Sequence, residues 1–267
     1  MELKERLILL ADKYENPAFL EKDPSKFMHR YFKNSGENED AQIVAFIAAN
    51  LAFGRREQIL SHVETILDMM KKAEKKPVQW ILDGDFEIHF PKTTNSFYRM
   101  YTFNDMNVFF KSLQKILREN TNLGSYFEKK WQKSCTQKNE TIFLHQVLSA
   151  EFTEKCSLIS VSKGAAAKKL NMFLRWMVRT SSPVDLGLWT WYDKSKLLLP
   201  LDTHVMQEAV KFGFLQQTPS GKIPGANLKT AISLTNVMEK YFPGDPTRAD
   251  FALFGLGVDE ERNKTEN

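Results

Sequence analysis

Apolar residues recur at three- and four-residue spacing along almost the whole chain, while alternating runs rich in Val, Ile and Thr are hard to find. The first pattern turns one stripe of a helix inward, whereas half-buried strands need the second. The chain is therefore predicted to be all-α. Helices are expected over 2–13, 17–32, 40–53, 55–73, 77–82, 104–119, 123–133, 139–151, 164–180, 185–190, 202–213, 226–241 and 246–255. Turn-forming sequences separate many of them, among them Asp83-Gly84, Pro91 to Ser96, Ser182-Pro183, Gln217 to Gly225 and Pro243 to Pro246. No repeat is visible, and the one polar tract is the tail from Asp259 to Asn267.

The segment from Ala41 to Gly54 is the most apolar, and its small residues would let neighbouring helices approach closely, so it is expected to be the central core helix. Arg55 and Arg56 follow and open a helix whose broad apolar face carries Ile59, Val63, Ile66, Leu67 and Met70. Two arginines beside exposed backbone N–H groups can hold a phosphate, although a charged first turn is also an ordinary solvated surface.

With 267 residues, 42% of them hydrophobic and 12% aromatic, the chain can build one large domain or two small lobes. Lys and Arg number 37 against 33 Asp and Glu, giving +4, so any nucleic-acid surface must come from local clustering. The first residues mix charges with Leu and Ile and do not read as a signal peptide. No window approaches the roughly 20 apolar residues needed to span a bilayer. Cys135 and Cys156 stand far apart without CxxC spacing, which excludes a Cys-ligated zinc or iron-sulfur centre and argues against a disulfide scaffold. The expectation is a cytoplasmic protein without metal or other cofactor.

The candidate chemistry lies further on. From Gly164, the residues Ala166, Leu170, Phe173, Leu174 and Met177 form a core-facing stripe, while Lys168, Met172, Arg175 and Arg179 share another face. Lys169 lies about 100° round from Lys168, so only one of the two can point into a given site. Lysines at a helix start oppose the helix dipole, which favours the neutral amine that a nucleophile requires. Asp202, before a run with helical apolar spacing, reads as an N-cap, and a capped carboxylate has the fixed position needed to stabilise positive charge. Taken singly, a Lys-Lys pair is a solvated surface and an Asp of this kind is a cap. Trp176 reads as core, while Trp189 and Trp191 either fill the core or line a pocket.

Order and flanking residues together resemble the helix-hairpin-helix DNA glycosylase superfamily, which includes endonuclease III and the 8-oxoguanine and adenine glycosylases. Lys168-Lys-Leu-Asn171 is similar to the family's lysine segment, with an Asn three residues after the Lys, and Leu201-Asp202-Thr203-His204-Val205 to its Val-Asp-Thr-His segment. Phe46 to Asn50 followed by Gly54-Arg55-Arg56 looks like the early helix whose polar residue probes the displaced strand. The hairpin departs from the Leu-Pro-Gly-Val-Gly pattern, reading Ile159-Ser-Val-Ser-Lys163-Gly164-Ala-Ala-Ala. The 34 positions from Lys168 to Asp202 exceed the endonuclease III separation and resemble archaeal-type 8-oxoguanine glycosylases. An uncharacterised bacterial family with a Lys-Arg-Leu-Asn-Met-Phe-Leu-Arg-Trp-Met-Val-Arg core and an Asp-Phe-Ala-Leu-Phe-Gly-Leu-Gly ending is also similar, and Asp250 to Gly257 match that ending.

The resemblance implies two helical lobes with a cleft between them. Residues 40–182 would form a lobe ending in the hairpin and lysine helix, and 1–39 with 183–267 a second lobe carrying the aspartate helix. It implies a monomer acting on duplex DNA with a damaged base, an oxidised purine such as 8-oxoguanine, at the nucleoid and not at a membrane. Lys168 would be the nucleophile, with Lys169 second in line, and Asp202 the essential carboxylate. Arg55, Arg56, Lys163, Gly164, Arg175 and His204 would contact DNA, while Asn50, Trp189 and Trp191 would line the base pocket. No iron-sulfur cluster is implied, since the cluster-bearing relatives keep four cysteines that this chain lacks. The competing reading is a non-catalytic helical module that binds DNA or protein through the same hairpin.

Overall fold

The computed structural model describes residues 2–137, 142–152, 154, 156–160 and 164–265, with backbone alone for Gln137 and 258–265. Its helices are α1 (Leu3–Tyr14), α2 (Lys26–His29), α3 (Glu39–Leu51), α4 (Arg56–Lys72), α5 (Pro77–Asp83), α6 (Phe86–His89), α7 (Phe103–Glu119), α8 (Leu123–Gln137), α9 (Leu144–Ala150), α10 (Lys168–Val178), α11 (Thr203–Lys211), α12 (Leu228–Glu239) and α13 (Ala249–Thr265). Between α6 and α7, strands β1 (Ser96–Tyr98) and β2 (Tyr101–Thr102) pair antiparallel, with Ser96 opposite Thr102. The fold is all-α with this one small hairpin among the described residues. No described helix is long and apolar enough to cross a membrane.

Two compact units divide the chain, Met1–Phe19 with Ser162–Asn267 and Leu20–Val161. In the second, α3 is the core helix the sequence predicts, for Ala41 to Leu51 are all buried. An element enclosed on every side needs apolar residues all round, which explains why α3 lacks a polar face. Phe46 stacks on Phe109 at 5.7 Å and on Phe152 at 5.5 Å, and a further aromatic group gathers Trp80, Phe86, Phe90 and Phe110. Thr102 caps α7, accepting the Asp105 N–H at 3.0 Å while Asp105 accepts the Thr102 N–H at 2.9 Å. This reciprocal cap starts the helix directly out of the hairpin.

In the first unit, α13 packs along α1 and α11. Gly255 makes the first of these contacts possible, since a Cβ there would lie 2.2 Å from Cγ of the Tyr14 ring. The unit boundary differs from the expected division at 40–182, because the lysine helix α10 sits with the aspartate helix α11. The reason is electrostatic: the buried arginines of α10 are paired with Glu15, Asp185, Asp245 and Asp250, all in this unit.

Several helix predictions change: α6 is not among the expected helices, α10 starts at Lys168 and not at 164, α13 runs to Thr265 and not to 255, and three further segments differ. Residues 17–32 are a 3-10 turn over Pro17–Lys22 and then α2, interrupted where Asp23 accepts the Ser25 N–H at 2.9 Å ahead of the α2 start. The expected helix at 185–190 is not helical, and its Leu186, Gly187 and Trp189 N–H groups donate to the last carbonyls of α10, those of Trp176 and Met177. Gly187 permits this with φ of 62°, and a Cβ there would lie 2.9 Å from the Arg179 carbonyl oxygen. The helix expected at 139–151 is α9 alone, and 139–141 lie outside the described residues.

Candidate active site

α10 begins at Lys168 because the backbone turns sharply just before it. Ala167 is left-handed, with φ 45° and ψ 46°, a conformation that costs an L-residue about 1–2 kcal/mol. Asn171 compensates by fixing this turn from inside the helix. Its side-chain Nδ2 donates to the Ala166 carbonyl at 2.8 Å and its backbone N–H to the Ala167 carbonyl at 2.9 Å. Outside the helix, Leu228 N–H donates to the Gly164 carbonyl at 2.9 Å, and Ala165 bridges Asn227, the N-cap of α12. The predicted stripe of Leu170, Phe173, Leu174 and Met177 is buried, which fixes the rotation of α10.

That rotation brings Lys168 to Asp202. Asp202 caps α11, its Oδ1 accepting the Val205 N–H at 2.8 Å, and its Oδ2 lies 3.3 Å from Lys168 Nζ. One carboxylate therefore caps α11 with one oxygen and pairs with the Lys168 ammonium through the other. The Lys168 side chain is 32% exposed and that of Asp202 14%, so the pair is open to solvent on the lysine side. Lys168, and not its neighbour Lys169, is the lysine that pairs with Asp202.

Behind this pair lies a buried ionic network. Arg175 pairs with Asp185 at 3.2 Å and with Asp250, and lies over the Phe251 ring at 4.3 Å. Arg179 pairs with Asp185, with Asp245 at 2.8 Å and with Glu15 at 2.9 Å, while Arg248 holds the other Glu15 oxygen at 2.8 Å. Burial pushes Asp250 up to about 6 against the pull of Arg175, and the Asp202 charge adds to the rise. Burial also raises Asp185, although two guanidinium groups oppose it. For Glu15, burial is outweighed by Arg179 and Arg248, which leave its carboxyl below the usual range.

Several expected site residues lie elsewhere. Arg175 is 3% exposed and faces the interior, so it is no phosphate contact. Seven positions after Lys168 the same helix face has passed from the surface into the unit. Trp189 is 1% exposed and packs edge-on against Phe173 at 5.3 Å, which makes it core. Trp191 stacks on Trp189 at 5.6 Å and is half-buried, with its indole N–H enclosed and without a hydrogen-bond partner among the described residues. Trp176 is core, as predicted. His204 is half-buried and meets the Phe254 ring at 5.9 Å, packing α11 onto α13. Gly164 is exposed and lines an open groove of about 690 Å³ with Asn227, Leu228, Lys229, Ile232, Ser233 and Asn236. Lys163 lies outside the described residues.

Asn50 and the two arginines after it belong to the other unit. Asn50 is wholly buried and donates to the Phe46 carbonyl at 2.9 Å, so it cannot read a base from inside α3. Arg55 is exposed as the N-cap of α4 and Arg56 is half-buried. Beside them the β1–β2 turn adds Arg99, whose guanidinium lies over the exposed Phe53 ring at 5.0 Å, and Tyr98, which donates to the Phe53 carbonyl at 2.5 Å. No helical periodicity announced this hairpin, so sequence reasoning missed both residues. Among the described residues no group of three or more His, Cys, Asp or Glu side chains is arranged to hold a metal ion.

A family model described as a protein of unknown function (DUF2400) matches residues 23–259, a span that includes Lys168, Asp202 and Asp250. Neither comparison with curated proteins nor comparison with solved structures finds a match.

Proposed function

This chain belongs to the DUF2400 family, and we propose that it is a DNA base-excision glycosylase with an associated AP lyase activity. The substrate is duplex DNA carrying an oxidised purine such as 8-oxoguanine, with Lys168 as nucleophile and Asp202 as its carboxylate partner. The observation that carries this reading is the division of Asp202 between two tasks, one oxygen on the Val205 N–H and the other 3.3 Å from Lys168 Nζ. A capped carboxylate cannot swing away from the amine, so the two groups keep their geometry while a substrate enters.

In the proposed reaction a lesion-bearing nucleotide leaves the stack, at a cost of a few kcal/mol that damage reduces. Asp202 takes a proton from the Lys168 ammonium, and the neutral amine attacks C1′ of the sugar. The glycosidic C–N bond breaks, its electron pair leaving with the base, which gains a proton. Asp202, ionised again by proton loss to solvent, stabilises the positive charge that develops on the sugar. Ring opening gives a Schiff base on Lys168. Loss of a C2′ proton then expels the 3′ phosphate by β-elimination. Arg55, exposed at the start of α4 in the other unit, and Arg56 beside it are cations of the kind a phosphate backbone attracts.

Borohydride added during reaction with 8-oxoguanine duplex reduces the Schiff base and traps a covalent adduct. Wild type is expected to give the adduct, Lys168→Ala none and Lys169→Ala a normal yield. Trapping that survives Lys168→Ala and vanishes in Lys169→Ala moves the nucleophile by one residue. The absence of any adduct with either lesion or abasic DNA overturns the lyase reading.

A further inference from the structure

The reading of Lys168 and Asp202 as the reacting pair leaves Asp250 without a role, and the inference here rests on that reading. Residues seven and eleven positions after Lys168 return to within about 20° of it around a helix axis, and both are arginines, Arg175 and Arg179. This row begins at a partly exposed amine and runs inward to two guanidinium groups that are 3% and 2% exposed. Its first rung joins Lys168 to Asp202, the N-cap of α11, and its second joins Arg175 to Asp250, in the first turn of α13. α11 and α13 are packed together, with His204 against Phe254, so the two acids stand at the ends of neighbouring helices facing one row of cations.

Charge along the row is unbalanced. Among the described residues, Glu15, Asp185, Asp202, Asp245 and Asp250 face Lys168, Arg175, Arg179 and Arg248, an excess of one carboxylate. The flanking Asp12 and Lys194 leave that excess unchanged. Asp185 contacts both buried guanidinium groups, whereas Asp250 contacts only Arg175 among the cations of the row. Asp250 is thus the buried acid held by a single guanidinium of the row, on the helix packed against the one that Asp202 caps. The charged groups acting on it are Arg175 and Lys168 from α10, Asp202 from α11 and Asp185 from the segment after α10.

We propose that Asp250 is a positioning residue for the Lys168–Asp202 pair, a second carboxylate whose gain or loss of a proton sets the field in which Lys168 holds its own proton. Its carboxyl, lifted by burial to about 6, changes charge near neutrality. With Asp250 protonated, Lys168 faces one negative carboxylate and releases its proton more readily. With Asp250 ionised it faces two, which hold the ammonium more firmly and strengthen the field available to a cationic sugar.

The test needs no DNA. Reductive methylation with formaldehyde and cyanoborohydride, read at the Lys168 peptide by mass spectrometry across a range of pH, reports how readily this amine becomes neutral. Asp250→Asn is expected to move the rate profile toward lower pH, with labelling about three- to tenfold faster at a fixed pH on its rising limb, as loss of a nearby charge implies. Asp250→Glu should restore the wild-type profile. Carbon-13 NMR of Asp250 in the folded chain measures the same coupling from the other side. Its midpoint should fall in Asp202→Asn, which removes a like charge, and rise in Lys168→Met, which removes an opposite one. A folded Asp250→Asn chain with an unchanged labelling profile overturns the proposal, as does an Asp250 midpoint indifferent to both substitutions. Should Asp250→Asn fail to fold, the NMR titration decides. Linked titrations without a borohydride adduct would refute the glycosylase reading while leaving this coupling intact, and an adduct without linkage would do the reverse.

Discussion

Asp202 reaches Lys168 through one carboxylate oxygen, because the other accepts the Val205 N–H. Cap and charge can therefore be separated by mutation. Asp202→Asn keeps an N-cap side chain and loses the charge, so it should melt close to wild type and give no borohydride adduct. Asp202→Ala loses both and should in addition be destabilised by about 1 kcal/mol. Equal thermal stability of the two variants would show that the cap contributes nothing.

Arg175 distinguishes a structural cation from a DNA contact. Removing it leaves Asp185 and Asp250 buried with less compensation, for which a loss of about 3–5 kcal/mol is expected. Arg175→Met should therefore lower the denaturant midpoint steeply, while Arg55→Ala should leave stability unchanged and weaken duplex binding in a salt-dependent way. A stable Arg175→Met chain with selectively weakened DNA binding would return Arg175 to the phosphate surface.

Ala167 holds a left-handed conformation that glycine adopts freely. Ala167→Gly is expected to be neutral or to gain up to about 1 kcal/mol, relief of strain being offset by the greater freedom of the unfolded chain. Ala167→Val should lose about 2 kcal/mol, since a β-branched residue is strained further there. Urea titration of both variants checks the order. A more stable Val variant would contradict it.

Gly255 and Tyr14 predict a coupled pair. A methyl at Gly255 would overlap the Tyr14 ring, and overpacking of this kind costs about 1–3 kcal/mol. Gly255→Ala should therefore lower the melting temperature, and it should cost measurably less in a Tyr14→Ala background. Additive losses would mean that the two residues do not share a contact.

His145 and Asp250 make opposite contributions to acid stability, one in each unit. Burial holds His145 at about 4, below its ordinary 6.5, with Nδ1 lacking a hydrogen-bond partner among the described residues. The unfolded chain takes up this proton first as pH falls, so stability present above about 6.5 is lost on the way down to about 4. The loss is about 3 kcal/mol by linkage. Asp250, raised from 3.8 to about 6, binds its proton more tightly when folded, so stability present below about 3.8 is lost as pH rises through 6. Subtracting the stability profile of His145→Leu from that of wild type should give a difference that declines with acid. The same subtraction with Asp250→Asn should decline with alkali. Either difference with the opposite slope refutes the assignment.

Much of the fold was legible in sequence because burial imposes periodicity. α3, α4, α7 and the stripe of α10 follow their apolar spacing to within a residue or two at most ends. The exceptions have local causes that periodicity does not carry. At 185–190 Trp189 is buried by a non-helical segment lying on a helix end, and residues 96–102 form a hairpin too short for an alternating pattern. The site was half legible. The pairing of Lys168 with Asp202 was legible from residue type and order, whereas the depth of Arg175 and Trp189 was not, since a helical wheel gives direction around the axis but not depth. The link of Asp250 to Arg175 was not legible, because the two lie 75 residues apart in the chain.

The clamp of Leu186, Gly187 and Trp189 on the end of α10 changes what the long lysine-to-aspartate separation means. Chain length between two groups ordinarily measures slack, yet here the strand after α10 is fastened to the helix that carries the amine. The exposed stretches of the link are the turn around Thr180 to Pro183 and the turn around Thr190 to Lys196, the latter ahead of Leu197 to Leu201, which are buried. Extra residues inserted at the second of these turns would lengthen a surface loop and leave the amine and the carboxylate in register. A single residue inserted between Leu186 and Trp189 would slip the clamp itself and shift the register of the chain that leads to the aspartate.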